Sequence, residues 1–262
     1  MRKIYLFTFM MLLFAHLKGQ AQQITLHVES AGTLPGMIDE SRFFYIYNLK
    51  LTGELNVTDI RLIRTLAQEN LQILDLSEAR IVEGGSPYYS NYRTSNDIIG
   101  SYMFYNPDYS TISPWAISKI NLPNSVTGIE RGAFKNCTRL TDINIPNSVT
   151  SIGKQAFYNC DNLKSIYMNS SNPPTINKTT LPQNEDLTIY IPRGSYTAYW
   201  LSYWGNYNLV EYDPTDIQGV TTSTHNGVEK YFSIDGRPLP GPCKGVNIIQ
   251  DTDGKTRKAW IP

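Results

Sequence analysis

The sequence predicts an α/β fold built as a right-handed β-α superhelix. A parallel β-sheet is expected on one face of this solenoid, and short helical or 3₁₀ returns on the other. Two observations predict the fold: a motif recurs with a period of 23 residues, and each copy contains a short strand with apolar residues at alternate positions. A small C-terminal β-module is expected to follow the solenoid.

The composition allows a folded core and argues against some partners. The chain has 262 residues, of which 41% are hydrophobic, and 23 Lys+Arg balance 23 Asp+Glu. Such a chain can bury a core, which excludes general disorder. A net charge of zero lacks the basic excess that binding to a phosphate backbone needs, so nucleic acid is not expected as a partner.

Residues 1–21 are predicted to be a cleaved signal peptide. Arg2 and Lys3 precede an apolar run over residues 4–17, and Ala21 stands at the expected cleavage position. The run is shorter than the roughly 20 residues that a membrane-spanning helix needs. The sequence therefore predicts a secreted or cell-surface protein whose mature chain has no transmembrane span.

The repeat is clearest in the middle of the chain. Residues 120–129 recur as residues 143–152, and residues 132–137 recur as residues 155–160. One coil cannot bury its own apolar face, so equivalent residues of successive coils are expected to stack on one another. The apolar strand positions that share this phase are Leu74, Ile120, Ile143, Ile166 and Ile189.

The pattern I-x-L/I-P-x-S-V-T-x-I-x-x-x-A-F-x-N-C-x-x-L in these copies resembles the BspA-like (Treponema-type) leucine-rich repeat of bacterial surface and secreted proteins. The resemblance covers about residues 49–211, with a degenerate first copy near residues 49–66. It implies protein–protein interaction or adhesion at the surface of a Gram-negative bacterium, and no catalysis.

The chain is expected to divide into four parts. The solenoid contains an insertion that lengthens one repeat, although Ile99 and Phe104 within it match Ile152 and Phe157 of a regular copy. The predicted parts are the signal peptide 1–21, the leucine-rich repeat domain 22–213 with an insertion at about 84–115 and a C-terminal cap at about 187–213, a linker 214–226, and a β-module 227–262.

No catalytic or metal-binding motif is recognisable. His27 and His225 lie near opposite ends of the mature chain, and neither H-E-x-x-H nor G-x-S-x-G occurs. The acidic segment 251–254 begins like a calcium loop, but its twelfth position is Pro262 where a glutamate is required. The protein is therefore expected to be no enzyme and to need no cofactor or metal.

A ligand-binding surface is predicted on the sheet. Side chains alternate along a strand, so the residue between two buried apolar residues points outward. We expect a protein partner to contact this face, and the alternative is a plain solvated sheet face. The predicted contact residues are Asn121, Asn144, Tyr167 and Tyr190, with Asp142 in the flanking row.

The tyrosine-rich insertion offers an alternative site. Tyr88, Tyr89 and Tyr92 could stack on a glycan, as in a carbohydrate-binding accessory protein. The competing interpretation is that the insertion packs over one end of the solenoid. A structural surface component that only self-associates is a third possibility.

Two further groups have expected structural roles. Trp200, Tyr203, Trp204 and Tyr207 are expected to pack as the C-terminal cap. Cys137 and Cys160 occupy equivalent repeat positions, and buried free thiols are favoured there over a disulfide. Cys243 is expected to be a half-buried loop thiol.

Overall fold

The structure is a computed structural model that describes residues 22–107 and 115–213, together with the strand segments 230–233, 238–239, 245–250 and 256–261. The chain divides into two compact units, Met1–Pro214 and Thr215–Pro262. Each unit is described by itself.

The first unit is organised around a sheet of eight described strands, all parallel, in the order β1-β2-β3-β5-β7-β9-β10-β11. A second parallel sheet has the order β4-β6-β8. The strands are β1 (Ile24–Val28), β2 (Asn48–Leu55), β3 (Ile73–Ile81), β4 (Ile98–Ile99), β5 (Lys119–Asn121), β6 (Gly128–Ile129), β7 (Asp142–Ile145), β8 (Ser151–Ile152), β9 (Ser165–Met168), β10 (Thr188–Pro192) and β11 (Asn208–Tyr212).

The register of the large sheet follows the sequence repeat. One apolar position of each strand lies directly beside its counterpart on the next, and the inner members of this row are buried. The predicted repeat solenoid with a parallel sheet is thus observed. The row consists of Ile24, Leu49, Leu74, Ile120, Ile143, Ile166, Ile189 and Leu209.

The first coil has no match to the repeat motif. It begins with β1 and returns through two 3₁₀ helices, Leu34–Gly36 and Glu40–Tyr45, before β2. Leu34 and Val28 are fully buried, so this coil joins the common core despite its divergent sequence. The solenoid therefore starts one coil earlier than the motif indicates.

The second coil returns through a true helix, α1 (Val57–Gln68). Its N-terminus is a capping box, in which the Asn56 side chain accepts a hydrogen bond from the backbone and Asp59 accepts one from the Asn56 N–H. The buried Asp59 carboxylate also accepts hydrogen bonds from Gly32 N at 2.6 Å and Leu34 N at 3.0 Å. Asp59 thus joins the first coil to the second.

The returns of the regular coils are hydrogen-bonded turns, so the expectation of short helical or 3₁₀ returns at residues 133–134 and 156–157 is wrong. The backbone itself gives the reason. Asn136 and Asn159 have φ values of 63° and 58°, in the left-handed region where a right-handed helix cannot continue. Asparagine is one of the few residues that tolerate this conformation, which explains its place in the repeat.

Neighbouring coils are joined by stacked side chains and backbone hydrogen bonds. Phe134 lies between Phe104 and Phe157, with ring centroids 5.3 and 5.2 Å away and planes inclined by 7° and 3°. Its N–H donates to Ala156 O at 2.8 Å. Each coil therefore buries its apolar face on the next.

Both cysteines of the repeats are free and buried. The Cys160 thiol donates to Phe134 O at 3.1 Å, and the Cys137 thiol donates to Phe104 O at the same distance. Each sulfur is thus bonded to the backbone of the preceding coil. Cys243 lies outside the described residues.

One coil is twice the regular length. Leu74 and Ile120 are adjacent in the sheet although 46 residues apart, and Ile99 between them pairs with Ile129 of the next coil. The residues of β4 therefore keep the repeat register inside the predicted insertion. The extra residues lie on both sides of the segment 98–106, and residues 108–114 are outside the described part.

The C-terminal cap consists of α2 (Tyr196–Trp200), a 3₁₀ helix Tyr203–Asn206 and β11. Trp204 is fully buried and its indole donates to Pro174 O at 2.8 Å. Tyr207 packs partly buried against the core. The expectation that Trp200 and Tyr203 also pack inward is wrong, because their side chains are 58% and 41% exposed while Tyr199 takes the inner position.

The second unit contains an antiparallel sheet with the strand order β13-β12-β14-β15. The expected hairpin turns at residues 235–236 and 253–254, and the acidic segment 251–254, lie outside the described residues. The strands are β12 (Lys230–Ser233), β13 (Pro238–Leu239), β14 (Gly245–Gln250) and β15 (Thr256–Ile261).

Within the described residues, no helix has both the length and the apolar character needed to cross a membrane.

Candidate functional site

The outward side of the large sheet carries one continuous row of side chains, here called the strand-face row. Each member follows the apolar residue of its strand that packs on the core, and none is fully buried. The predicted residues Asn121, Asn144, Tyr167 and Tyr190 lie side by side on adjacent strands of this row. The full row is Thr25, Lys50, Asp75, Asn121, Asn144, Tyr167, Tyr190 and Val210.

The N-terminal end of the row is charged but internally paired. The Lys50 ammonium donates to Glu78 Oε1 and lies 3.9 Å from Asp75 Oδ2. The hydrogen bond with Glu78 raises the pKa of Lys50, so this amine stays protonated. Asp75 in turn accepts from Ser77 N at 2.9 Å. Because these groups pair with one another, the side chains in the C-terminal half of the row are more available for contact with a partner.

The C-terminal half carries three tyrosines in mutual contact, here called the tyrosine trio: Tyr167, Tyr190 and Tyr212. The first two rings stack with centroids 4.6 Å apart and planes inclined by 13°. The Tyr212 ring is nearly perpendicular to both, and its centroid lies 5.8 Å from that of Tyr167 and 6.4 Å from that of Tyr190. Its hydroxyl lies 2.8 Å from Asn169 Oδ1 and 3.1 Å from Met168 O.

Burial of the trio affects its acidity. It raises the pKa of Tyr167, and it raises the pKa of Tyr212 to about 12. Both phenols therefore stay neutral, and able to donate hydrogen bonds, to a higher pH than an exposed tyrosine. Tyr212 was not among the predicted site residues, because β11 follows β10 by 20 residues and so leaves the 23-residue phase.

Between the charged and aromatic ends lie the two asparagines. The Asn144 amide oxygen has neither solvent access nor a hydrogen-bond partner among the described residues. Asp142 lies in the flanking row between Lys119 and Ser165, and accepts from Thr141 Oγ1 at 2.6 Å. The middle of the row is therefore polar, and its hydrogen-bonding groups are only partly paired within the described residues.

The residues of the predicted alternative site differ in burial. Tyr88 is only 7% exposed and its hydroxyl donates to Ser101 O at 2.7 Å, so its ring belongs to the core and does not face a ligand. Tyr92 is 38% exposed and Tyr89 is half-buried against the core. Both rings contact Tyr102, and Tyr89 also contacts Tyr105. The described part of the insertion thus packs partly onto the solenoid and partly faces outward.

In the part of the chain that the structure describes, no group of three or more His, Cys, Asp or Glu side chains could hold a metal ion. His27 Nδ1 lies 2.8 Å from Thr52 Oγ1, and His225 is outside the described residues. The strand-face row offers amides, phenols and carboxylates, which suit hydrogen bonding and aromatic contact with a partner.

A repeat solenoid with an open sheet face defines a class of scaffold that commonly binds proteins. Residues 97–199 match the family model of the BspA type Leucine rich repeat region in 6 copies. This segment is therefore similar to the BspA-type leucine-rich repeat, which is typical of surface or secreted proteins. A comparison with curated proteins found no match.

Proposed function

We propose that this protein is an exported, non-enzymatic leucine-rich repeat protein that binds a protein partner through the strand-face row. The observation that carries the proposal is the stacked pair Tyr167 and Tyr190, in register with Asn144 and Asn121 on consecutive strands, with Tyr212 packed against both rings. Rigid aromatic side chains next to adaptable amides are the combination that protein-binding surfaces use.

The geometry of the trio favours a protein over a sugar at this face. The facing sides of the Tyr167 and Tyr190 rings cover each other, and their other sides adjoin Asn144 and Val210 of the same row. Ring edges and hydroxyls are then the groups that a partner meets. Such groups suit hydrogen bonds with peptide groups and side chains better than stacking on a flat sugar face.

The trio is also ordered before binding. Each ring is held by the other two, and Tyr212 is fixed by its hydroxyl. Ordering a free side chain costs about 0.5–1.5 kcal/mol on association, so this cost is reduced here. A shallow sheet face can therefore bind by several modest contacts spread over adjacent strands.

The proposed location rests on residues 1–21 and on the family. The basic start and the short apolar run have the form of a secretory signal, and BspA-type proteins are typically surface or secreted. Adhesion at the surface of a Gram-negative bacterium is the role that fits an exported, partner-binding solenoid.

The test is a binding screen of residues 22–262 against purified extracellular-matrix proteins. The double variant Tyr167→Ala/Tyr190→Ala removes the stacked pair, and we expect it to lower the affinity for any protein ligand at least about tenfold. The exposed Tyr196 on α2 lies outside the row, so Tyr196→Ala is the matched control. Binding that survives the double variant would contradict the proposed site.

A further inference from the structure

A second aromatic surface lies among the turns that connect the strands. It consists of Tyr89, Tyr92, Tyr102, Tyr105 and Tyr158 with Lys135, and is here called the tyrosine ridge. Tyr102 is the centre of its first part, with ring centroids 5.1 Å from Tyr92, 5.4 Å from Tyr105 and 6.1 Å from Tyr89. These rings come from both the insertion and the regular repeat.

The second part of the ridge places a cation between two rings. The Lys135 ammonium lies 5.9 Å from the Tyr105 ring centroid and 5.3 Å from that of Tyr158. The repeat register produces this order, because Asn106 N donates to Lys135 O and Asn136 N donates to Tyr158 O. Tyr105, Lys135 and Tyr158 thus occupy equivalent positions on three successive coils.

Hydrogen bonds and a cation–π contact fix the tyrosines of the insertion in place. Tyr92 N donates to Tyr89 O at 2.8 Å, which closes a tight turn, and the buried Tyr88 anchors that turn through Ser101. The Arg64 guanidinium lies against the Tyr89 ring at 5.7 Å and donates to Met103 O at 2.7 Å. The insertion therefore presents its outer rings in a fixed arrangement.

The ridge is open to solvent. Tyr158 is 41% and Tyr92 is 38% exposed, and the remaining rings and Lys135 are half-buried. Its members are all tyrosines except for the lysine, so the surface is aromatic and polar but not aliphatic. An aromatic ring has a negative face that attracts C–H groups of positive polarity, and the ammonium attracts an anion.

We propose that the tyrosine ridge is a binding site for an acidic polysaccharide. The C–H face of a sugar ring would rest on Tyr158 or Tyr105, and its carboxylate or sulfate group would meet Lys135 between them. The ridge differs from the strand-face row by its cation: the Lys135 ammonium lies between two rings and forms no ion pair among the described residues, which favours an anionic ligand. This site is separate from the strand-face row and does not depend on the proposed function.

The experiment measures binding of residues 22–262 to two acidic polysaccharides by affinity electrophoresis: polygalacturonate for carboxylates and heparin for sulfates. Fully methyl-esterified polygalacturonate is the matched neutral polymer. We expect at least one acidic polymer to bind, the neutral one to bind at least about tenfold more weakly, and both Tyr158→Ala and Lys135→Gln to lower the affinity about tenfold. The acidic polymer that binds identifies the anionic group that the site recognises.

Controls separate this site from the other surface. Tyr196→Ala removes an exposed tyrosine elsewhere and should leave polysaccharide binding unchanged, as should Tyr167→Ala/Tyr190→Ala. Unchanged thermal unfolding of the Tyr158 and Lys135 variants shows that they fold. The proposal is overturned if neither acidic polymer binds, if the neutral polymer binds equally well, or if the ridge variants bind as the wild type does. A protein ligand lost only with Tyr158→Ala would also overturn it.

Discussion

Tyr167 stacks on Tyr190 with ring centroids 4.6 Å apart, although the two residues are separated by a full turn of the chain. The contact exists because the 23-residue repeat brings the same strand position of successive coils side by side. Stacked aromatic pairs contribute about 0.5–1.5 kcal/mol beyond the area they bury. The pair therefore both stabilises the sheet and fixes the surface that a partner would meet.

The Tyr212 hydroxyl should matter for stability and for binding. Tyr212→Phe removes its hydrogen bonds to Asn169 and Met168 while keeping the ring. We expect the free energy of unfolding in urea to fall by about 1 kcal/mol, and the affinity for a protein ligand to fall less than tenfold. Tyr196→Phe is the control. An unchanged free energy of unfolding would show that the hydroxyl does not hold the trio.

Asn144 should show a conflict between stability and binding. Its amide oxygen is buried without a partner in the described part of the structure, and such a group costs about 1–3 kcal/mol. Asn144→Leu is therefore expected to leave the free energy of unfolding unchanged or to raise it by up to about 1 kcal/mol, while weakening protein binding. Denaturant unfolding and titration of the same variant check both parts. A strong loss of stability would mean that the amide is satisfied.

Asp59 should be the most sensitive polar position of the N-terminal coils. Asp59→Ala leaves the N–H groups of Gly32, Leu34 and Asn56 without their acceptor. We expect the free energy of unfolding to fall by at least about 3 kcal/mol. Thr65→Ala on the exposed side of the same helix should cost less than about 0.5 kcal/mol. Equal losses in the two variants would contradict this role.

The protein should lose stability at alkaline pH. Burial raises the pKa of the Cys137 thiol from 9.0 to about 12 and that of Cys160 well above 9.0. Above pH 9 the unfolded chain therefore binds fewer protons than the folded chain, and the free energy of unfolding falls as pH rises toward 12. Each thiol contributes a slope of up to about 1.4 kcal/mol per pH unit.

Mutation can show whether the thiols cause the fall in the free energy of unfolding at alkaline pH. Burial also raises the pKa values of Tyr88 and Tyr199, so some loss of stability remains in any cysteine variant. Cys137→Ala/Cys160→Ala should flatten the pH dependence between pH 9 and 12, measured by urea unfolding at each pH. An unaltered slope would show that the thiols ionise freely in the folded protein.

The sequence is informative where residues repeat. The spacing of Ile120, Ile143, Ile166 and Ile189 predicts the sheet register, because equal spacing in a solenoid becomes lateral contact. The same spacing predicts which side chains share the outward row. The lateral contact between the strand positions of Asn144 and Tyr167 therefore follows from the repeat alone.

Features without a repeat were missed or misjudged. Tyr212 lies off the 23-residue phase, and the coil that begins at Ile24 lacks the motif altogether. Tyr88 and Trp200 are both large aromatic residues, yet one is buried and the other exposed. Only tertiary packing decides which side of a loop or a single helical turn faces the core, so the sequence pattern could not separate them.

The most direct test of the proposed function compares three proteins by surface plasmon resonance against a protein ligand from the extracellular-matrix screen: the wild type, Tyr167→Ala/Tyr190→Ala and Tyr158→Ala. We predict that the double variant raises Kd at least about tenfold, and that Tyr158→Ala leaves it within about twofold. An unchanged Kd for the double variant, or the absence of any extracellular protein ligand, would contradict protein binding by the strand-face row.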